Sequence, residues 1–339
     1  MRKTKKVRVG IIGIGKMGAQ HAHNLYQFAG RADLVAIQDI DFERARYFAN
    51  NHNHPKVFKN ADDLINSKDV DAVLIAAPDE LHANLLISCI NAGKPVFCEK
   101  PLATNIEDAK KIINAEIVGS KRLISMGFQR RFDPSHKALK ETIISGQIGK
   151  PLLWKGVHRN AKVPYDSSGR FILMNSAGHD IDSARWLLNE EVLEVSVKGL
   201  CSRPEFSKET RDLLLVQMEM TNGCFAIGEL FMSADYGYEV SAEVVGQYGI
   251  VTTMQPGKLY LRAKSWCSRP VSPDWTEPFQ EAYLLEINNW IESIYSERPF
   301  EGASAWDGYI AIIVSEAASV ALAENKSCKI ELMQKPIFY

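Results

Sequence analysis

A short apolar run, Val7–Ile12, leads directly into Gly13-x-Gly15-x-x-Gly18, and an amphipathic segment follows at once. Few folds tolerate that order of strand, glycine loop and helix. The first glycine permits a tight turn, the second lets the backbone approach a pyrophosphate, and the third allows helix and strand to pack closely, with the helix N-terminus facing the anion. Asp39 stands at the end of the second apolar run, about 20 residues further on, where a carboxylate holds ribose hydroxyls. A carboxylate there also repels a 2′-phosphate, and Ile40 and Asp41 supply no basic residue to offset it. These features predict a dinucleotide site that favours NAD over NADP. The competing role for Asp39 is to cap the next helix; its place at a strand end favours ribose binding, and Asp41 is better placed to cap.

The remainder of the first 127 residues repeats this grammar. Apolar runs at 34–38, 57–58, 72–76, 96–98 and 123–126 alternate with amphipathic segments at 17–28, 42–51, 61–66, 81–92 and 106–118. Strands apolar throughout, separated by helices, indicate a doubly wound parallel sheet, the Rossmann arrangement. From 128 to 339 the pattern changes to helices near 134–145 and 177–188, then alternating strands at 152–157, 192–199, 213–220, 224–231, 238–245, 250–254 and 258–262. Two long helices, 279–296 and 306–324, end the chain. The class expected is α/β plus α+β: residues 1–127 a Rossmann domain, residues 128–339 a substrate-binding and oligomerisation domain around an open antiparallel sheet. A chain of 339 residues has the length for two such domains.

Composition removes several alternatives. With 40 Lys and Arg against 41 Asp and Glu, no net field gathers nucleic acid or anionic lipid. The six cysteines show neither CxxC pairs nor metal-ligand spacing, so they read as reduced thiols of a cytoplasmic protein with no metal site. The basic start resembles a secretion signal, but Arg8 interrupts its apolar run and no cleavage site follows. No stretch is expected to reach the 18 or so apolar residues that a membrane span requires.

Four further motifs complete a pattern: Pro78-Asp-Glu-Leu-His82, Glu99-Lys100-Pro101 after the fifth strand, Arg130-Arg131-Phe132-Asp133-Pro134, and His179-Asp-Ile-Asp182. With the glycine loop they make the chain resemble the Gfo/Idh/MocA oxidoreductases over nearly its whole length. His158-Arg-Asn160, and Tyr283 ahead of the helix containing Trp290, resemble the branch of that family that oxidises inositols, myo-inositol foremost. The resemblance implies cofactor contacts at Gly13, Ile14, Gly15, Lys16, Met17 and Gly18, then Asp39, Ala77, Pro78, His82, Glu99 and Lys100. It implies substrate contacts at Lys100, Arg130, His158, Asn160, Asn175, His179, Asp182 and Tyr283. It also suggests a cis peptide before Pro101 that aims Lys100.

Lys100 and His179 are the implied catalytic residues, and alcohol chemistry agrees. Oxidation of a secondary alcohol removes the hydroxyl proton as hydride leaves the same carbon. Histidine, which as a residue type titrates near neutrality, suits the proton. A lysine ammonium stabilises the alkoxide that develops. Without their context, Lys100 reads as a solvated loop lysine and His179 as a core histidine; the strand-end position of one, and Asp182 on the helical face of the other, argue otherwise. Of Arg130 and Arg131, one is expected to shape the site and the other to be structural. His158 and Asn160 alternate, so they share a strand face.

Asn175 departs from the pattern, since the inositol enzymes carry an aspartate there. An amide orients an imidazole but cannot neutralise an imidazolium. Asn175 or Ser176 could instead cap the following helix. The expected activity is NAD-dependent oxidation of an inositol or related cyclic polyol. The alternatives are a sugar or amino-sugar dehydrogenase, an NAD-using glycoside hydrolase, and a dinucleotide sensor without chemistry, against which Lys100 and His179 count. Phe225, Ile227, Leu230 and Met232 suggest an open sheet face covered in a homodimer or homotetramer.

Overall fold

The computed structural model describes residues 6–27, 30–162, 168–207, 209–253, 261–263, 266–268 and 270–339. It divides into two compact units: 1–132 with 282–312 and 334–339, and 133–281 with 313–333. The boundary expected after residue 127 therefore falls at Phe132, and the C-terminal part is not one continuous domain.

In the first unit six strands, β1 (Val7–Ile12), β2 (Ala32–Gln38), β3 (Lys56–Phe58), β4 (Ala72–Ile75), β5 (Val96–Glu99) and β6 (Ile124–Gly127), pair in parallel in the order β3-β2-β1-β4-β5-β6. This is the doubly wound order, with its switch point between β1 and β4. The helices are α1 (Lys16–Tyr26), α2 (Phe42–Asn51), α3 (Ala61–Ile65), α4 (His82–Asn91) and α5 (Ile106–Gly119). Caps set several starts: Asp41 accepts from the Arg44 amide, Asn60 from that of Asp63 and Asn105 from that of Asp108. Asp41, not Asp39, thus caps α2. Ala303–Ser304 adds a short antiparallel strand beside β6. The helix Gln280–Tyr295 buries Ile287, Trp290 and Ile291 against Ile11, Leu74 and Phe97, which places Tyr283 in this unit.

The second unit holds a seven-stranded sheet. Strands β7 (Pro151–Arg159), β8 (Val192–Leu200), β9 (Leu213–Met220), β10 (Phe225–Phe231), β11 (Glu239–Gly246) and β12 (Ile250–Thr252) run in the order β12-β11-β7-β10-β9-β8, and Cys328–Lys329 completes the edge beside β8. Every pairing is antiparallel except β7 with β10, so the sheet is mixed. Met254 and residues 258–260 of the predicted strands lie outside the described residues. Helices α6 (Pro134–Ile144), α7 (Gly169–Asn175) and α8 (Gly178–Leu188) belong to this unit. Helix α7 was not apparent from the sequence.

Strand parity corrects the reading of the open face. Ala226, Leu230 and Met232 are buried, whereas Phe225 is 56% exposed and Ile227 is half-buried beside it. Phe225 and Ile227 therefore occupy one face, Leu230 and Met232 the other, because positions an odd number apart point oppositely. A second correction concerns Ala305–Glu324, which is long and apolar enough to cross a membrane. Asp307 and Glu316 break its apolar run in sequence, and burial of Trp306, Tyr309, Ile310, Val314 and Ala318 accounts for its composition.

On the buried face of β7, Trp154, Gly156 and His158 stand in a row, and a Cβ on Gly156 would come 2.1 Å from the Trp154 ring. The fully buried indole has little room to yield. Gly156→Ala is expected to cost about 1–3 kcal/mol through overpacking. Thermal unfolding checks this; an unchanged midpoint would mean that the indole shifts freely.

Candidate active site

The carboxyl ends of β1, β2, β4 and β5 bring together most of the residues expected to hold the cofactor. Gly13 has φ +90°, and a Cβ there would meet the Ala76 carbonyl oxygen at 2.4 Å. A Cβ on Gly18 would come 1.8 Å from the Gly13 carbonyl oxygen, so α1 lies closer to the turn than any side chain allows. Gly15 differs: nothing lies within 4 Å of its Cβ position, and it precedes α1 without a capping side chain or an acid in the first turn. The loop thus leaves open space beside a helix N-terminus, a cradle suited to a pyrophosphate. Lys16 is exposed and Met17 half-buried at this end.

Asp39 is buried and accepts four hydrogen bonds. The Ile14 amide donates to Oδ2 at 2.7 Å and the Asp41 amide to Oδ1 at 2.8 Å. Arg44 donates from Nη2 to Oδ1 at 2.6 Å and from Nε to Oδ2 at 3.2 Å. Burial opposes ionisation of Asp39, but the Arg44 guanidinium and the two amides outweigh it and hold the carboxyl below its usual range. Inspection of positions 40 and 41 missed Arg44, which reaches back from the first turn of α2.

His82 and Glu99 have protein partners at the strand ends. The His82 ring is fully buried, with Nδ1 2.6 Å from the Pro101 carbonyl oxygen and Nε2 3.0 Å from that of Ala77. Both nitrogens thus lie against backbone carbonyls, of which a neutral ring donates to one, and His82 links the loop after β4 to the loop after β5. Glu99 lies 2.7 Å from Nε2 of the buried His21 in α1, so its carboxylate serves that contact. Ala77 and Pro78 remain at the strand end, half-buried and exposed. Lys100 is half-buried and is followed by the cis peptide to Pro101. Burial holds the neighbouring Cys98 thiol well above its ordinary range and pushes Cys89 up to about 12, so neither is a nucleophile.

Arg131 pairs with Asp307 at 2.9 Å, and Asp307 also accepts from the amide and hydroxyl of Ser304. The Arg131 guanidinium is thus engaged by a carboxylate of the same unit. Arg130 is buried in the turn before it, and Tyr283 is buried with its ring edge toward His21, centroids 6.0 Å apart.

The second unit has its own polar cluster. His158, buried on β7, places Nδ1 2.8 Å from Asp180 of α8. The rings of His179 and Tyr238 stand edge-on to it, at 6.5 and 6.1 Å between centroids. Asp180 was missed from the sequence because it meets His158 across two elements, while spacing on one helix pointed to Asp182, which is buried in α8. Asn160 follows β7, its side-chain amide 3.2 Å from the Met232 sulfur. Asn175 ends α7, and Ala177 precedes α8 without a side-chain cap, so neither Asn175 nor Ser176 caps α8. Among the described residues no cluster of three or more His, Cys, Asp or Glu is arranged to hold a metal.

Comparison with known proteins places this geometry. Residues 7–128 match the oxidoreductase family with an NAD-binding Rossmann fold, and residues 136–252 match the GFO/IDH/MocA C-terminal domain. The chain belongs to the GFO/IDH/MocA family. An inositol 2-dehydrogenase of Rubrobacter xylanophilus is 37% identical over 336 residues, spanning 99% of this chain and 96% of that protein. A myo-inositol dehydrogenase from Lactobacillus casei, solved with NAD(H) and myo-inositol, superposes with TM-score 0.94 at 32% identity, covering 99% of this chain and all of that one. A scyllo-inositol dehydrogenase from the same organism, solved with NAD(H) and scyllo-inositol, gives 0.88 at 26% identity over 96% and 99% of the two chains. This family member is an NAD-dependent oxidoreductase, and the cradle at Gly15 fits that cofactor.

Two glycine variants separate binding from folding. Gly15→Ala fits the protein and should leave the melting temperature nearly unchanged, yet weaken NADH binding at least tenfold by filling the space the pyrophosphate needs. Gly18→Ala should lower both, because the loop must open to accept the methyl group. Fluorescence titration with NADH and thermal unfolding check the pair; normal NADH affinity in Gly15→Ala would remove the loop from the cofactor site.

Proposed function

We propose that this chain oxidises a secondary hydroxyl of an inositol, myo-inositol foremost, to the ketone with NAD as the hydride acceptor. The observation that carries this reading is the whole-chain likeness to a relative solved with both NAD(H) and myo-inositol. The paired imidazoles of the second unit support it, since a polyol ring demands several oriented polar partners. Bound NAD would supply the hydride acceptor.

His179 is assigned removal of the hydroxyl proton, and Lys100 stabilisation of the charge developing on that oxygen. Asp180 is proposed to fix the tautomer of His158, whose ring donates from Nδ1 to the carboxylate, and so to orient the ring toward the polyol. Arg130, Asn160, Asn175, Asp182 and Tyr283 are proposed to complete the polyol site. For Asn175 the role is to orient His179 without adding charge. The open sheet face around Phe225 and Leu215 is proposed to be covered in a homodimer or homotetramer, and the protein to be cytoplasmic, in keeping with five free thiols among the described residues.

The test of substrate is NADH formation with myo-inositol, scyllo-inositol, other inositol isomers and aldoses at equal concentration. Inositols should give kcat/KM at least tenfold above aldoses, and the opposite order would overturn the reading. Lys100→Met should lower kcat about 10²–10³-fold while NADH binding persists; retained turnover would make the lysine peripheral. Asp180→Asn should raise KM for the inositol about 3–30-fold, with a smaller change in kcat, because it exchanges a charge-assisted hydrogen bond for a neutral one. Unchanged kinetics would show that His158 is held without the carboxylate.

A further inference from the structure

Asp39 is expected to take the ribose diol and to repel a 2′-phosphate, but its oxygens are already occupied. A carboxylate offers about four acceptor sites, and here the amides of Ile14 and Asp41 fill two while Arg44 fills the others. The two amides belong to the glycine loop and to the turn before α2, so neither yields without unfolding that backbone. Arg44 can yield: its side chain is 47% exposed, against 3% for Asp39. A ribose diol that hydrogen-bonds Asp39 must therefore displace the guanidinium.

We propose that Arg44 is an exchangeable counter-ion of Asp39 which, once displaced by the adenosine ribose, becomes the partner of a 2′-phosphate, so that this residue sets how far the site accepts NADP. The inference rests on the assignment of Asp39 to the ribose. Three features carry it. Arg44 is tethered within reach, because its own amide is held by the Asp41 cap at 3.0 Å. Its planar fork already makes a two-point contact with a carboxylate, the geometry that also suits phosphate. A carboxylate with its own cation presents little net charge to repel the phosphate. Of the other charged groups near this turn, Glu43 and Arg46 interact with each other at 3.4 Å, while the Asp41 carboxylate caps α2 and reinforces the positive charge of Arg44.

The experiment is titration of the intact protein with NADH and NADPH, followed by fluorescence and without any substrate. Arg44→Gln should weaken NADPH binding about tenfold or more, while NADH affinity stays constant or improves because the diol no longer competes with the guanidinium. Arg44→Lys, a cation without the fork, should retain part of the NADPH affinity. Equal changes for both cofactors, or none for NADPH, would overturn the proposal. Asp39→Asn serves as the control: it should weaken NADH, and if NADH affinity does not respond the ribose assignment falls and the proposal with it. Because no polyol is present, none of these results depends on which alcohol the enzyme oxidises.

Discussion

The first unit depends on a backbone contact that no side chain could replace. With the Gly13 carbonyl oxygen 1.8 Å from where a Gly18 Cβ would lie, α1 is pressed onto the turn after β1. That approach fixes where the helix N-terminus points, and so where an anion is favoured. The Ile14 amide, presented by the same turn, then donates to Asp39 and ties the end of β2 to the loop. Pyrophosphate cradle and ribose acid are thus set by one turn, and disturbing the turn would displace both.

Buried histidines extend this construction along the strand ends. His82 joins the carbonyls of Ala77 and Pro101, and His21 holds Glu99 from inside α1. Neither ring is accessible. Leaving either partner unsatisfied in the interior would cost about 1–3 kcal/mol. Together they brace Lys100 from both sides, through Glu99 before it and Pro101 after it. A flexible four-carbon lysine benefits from such support, because electrostatic stabilisation depends on a charge positioned before the reaction begins.

Local order was legible in the sequence where local rules decide it. The strand β1, the glycine loop, the Asp41 cap and α2 at Phe42–Asn51 all follow from spacing and residue type within a dozen positions. What escaped depends on elements meeting in space. Arg44 on Asp39, Asp180 on His158 and His21 on Glu99 join different elements, and no periodicity along one element reveals such a pair. The helix Gln280–Tyr295 reads as a C-terminal element in sequence, yet Ile287, Trp290 and Ile291 find their core on the N-terminal sheet. The parallel junction of β7 with β10 was hidden for the same reason, since 72 residues separate partners such as His158 and Leu230.

The second unit holds two imidazoles, edge-on at 6.5 Å between centroids, to which different tasks are proposed. His158 has a carboxylate on Nδ1, while the residue expected to orient His179 is an amide. These arrangements suit different tasks. A histidine that recognises a hydroxyl benefits from a fixed tautomer, which a carboxylate enforces by accepting from Nδ1. A histidine that must release its proton after each turnover gains less from a neighbouring anion, because that charge stabilises the imidazolium and retards the return to the base form. The proposed role of Asn175, orienting His179 without adding charge, fits that second task.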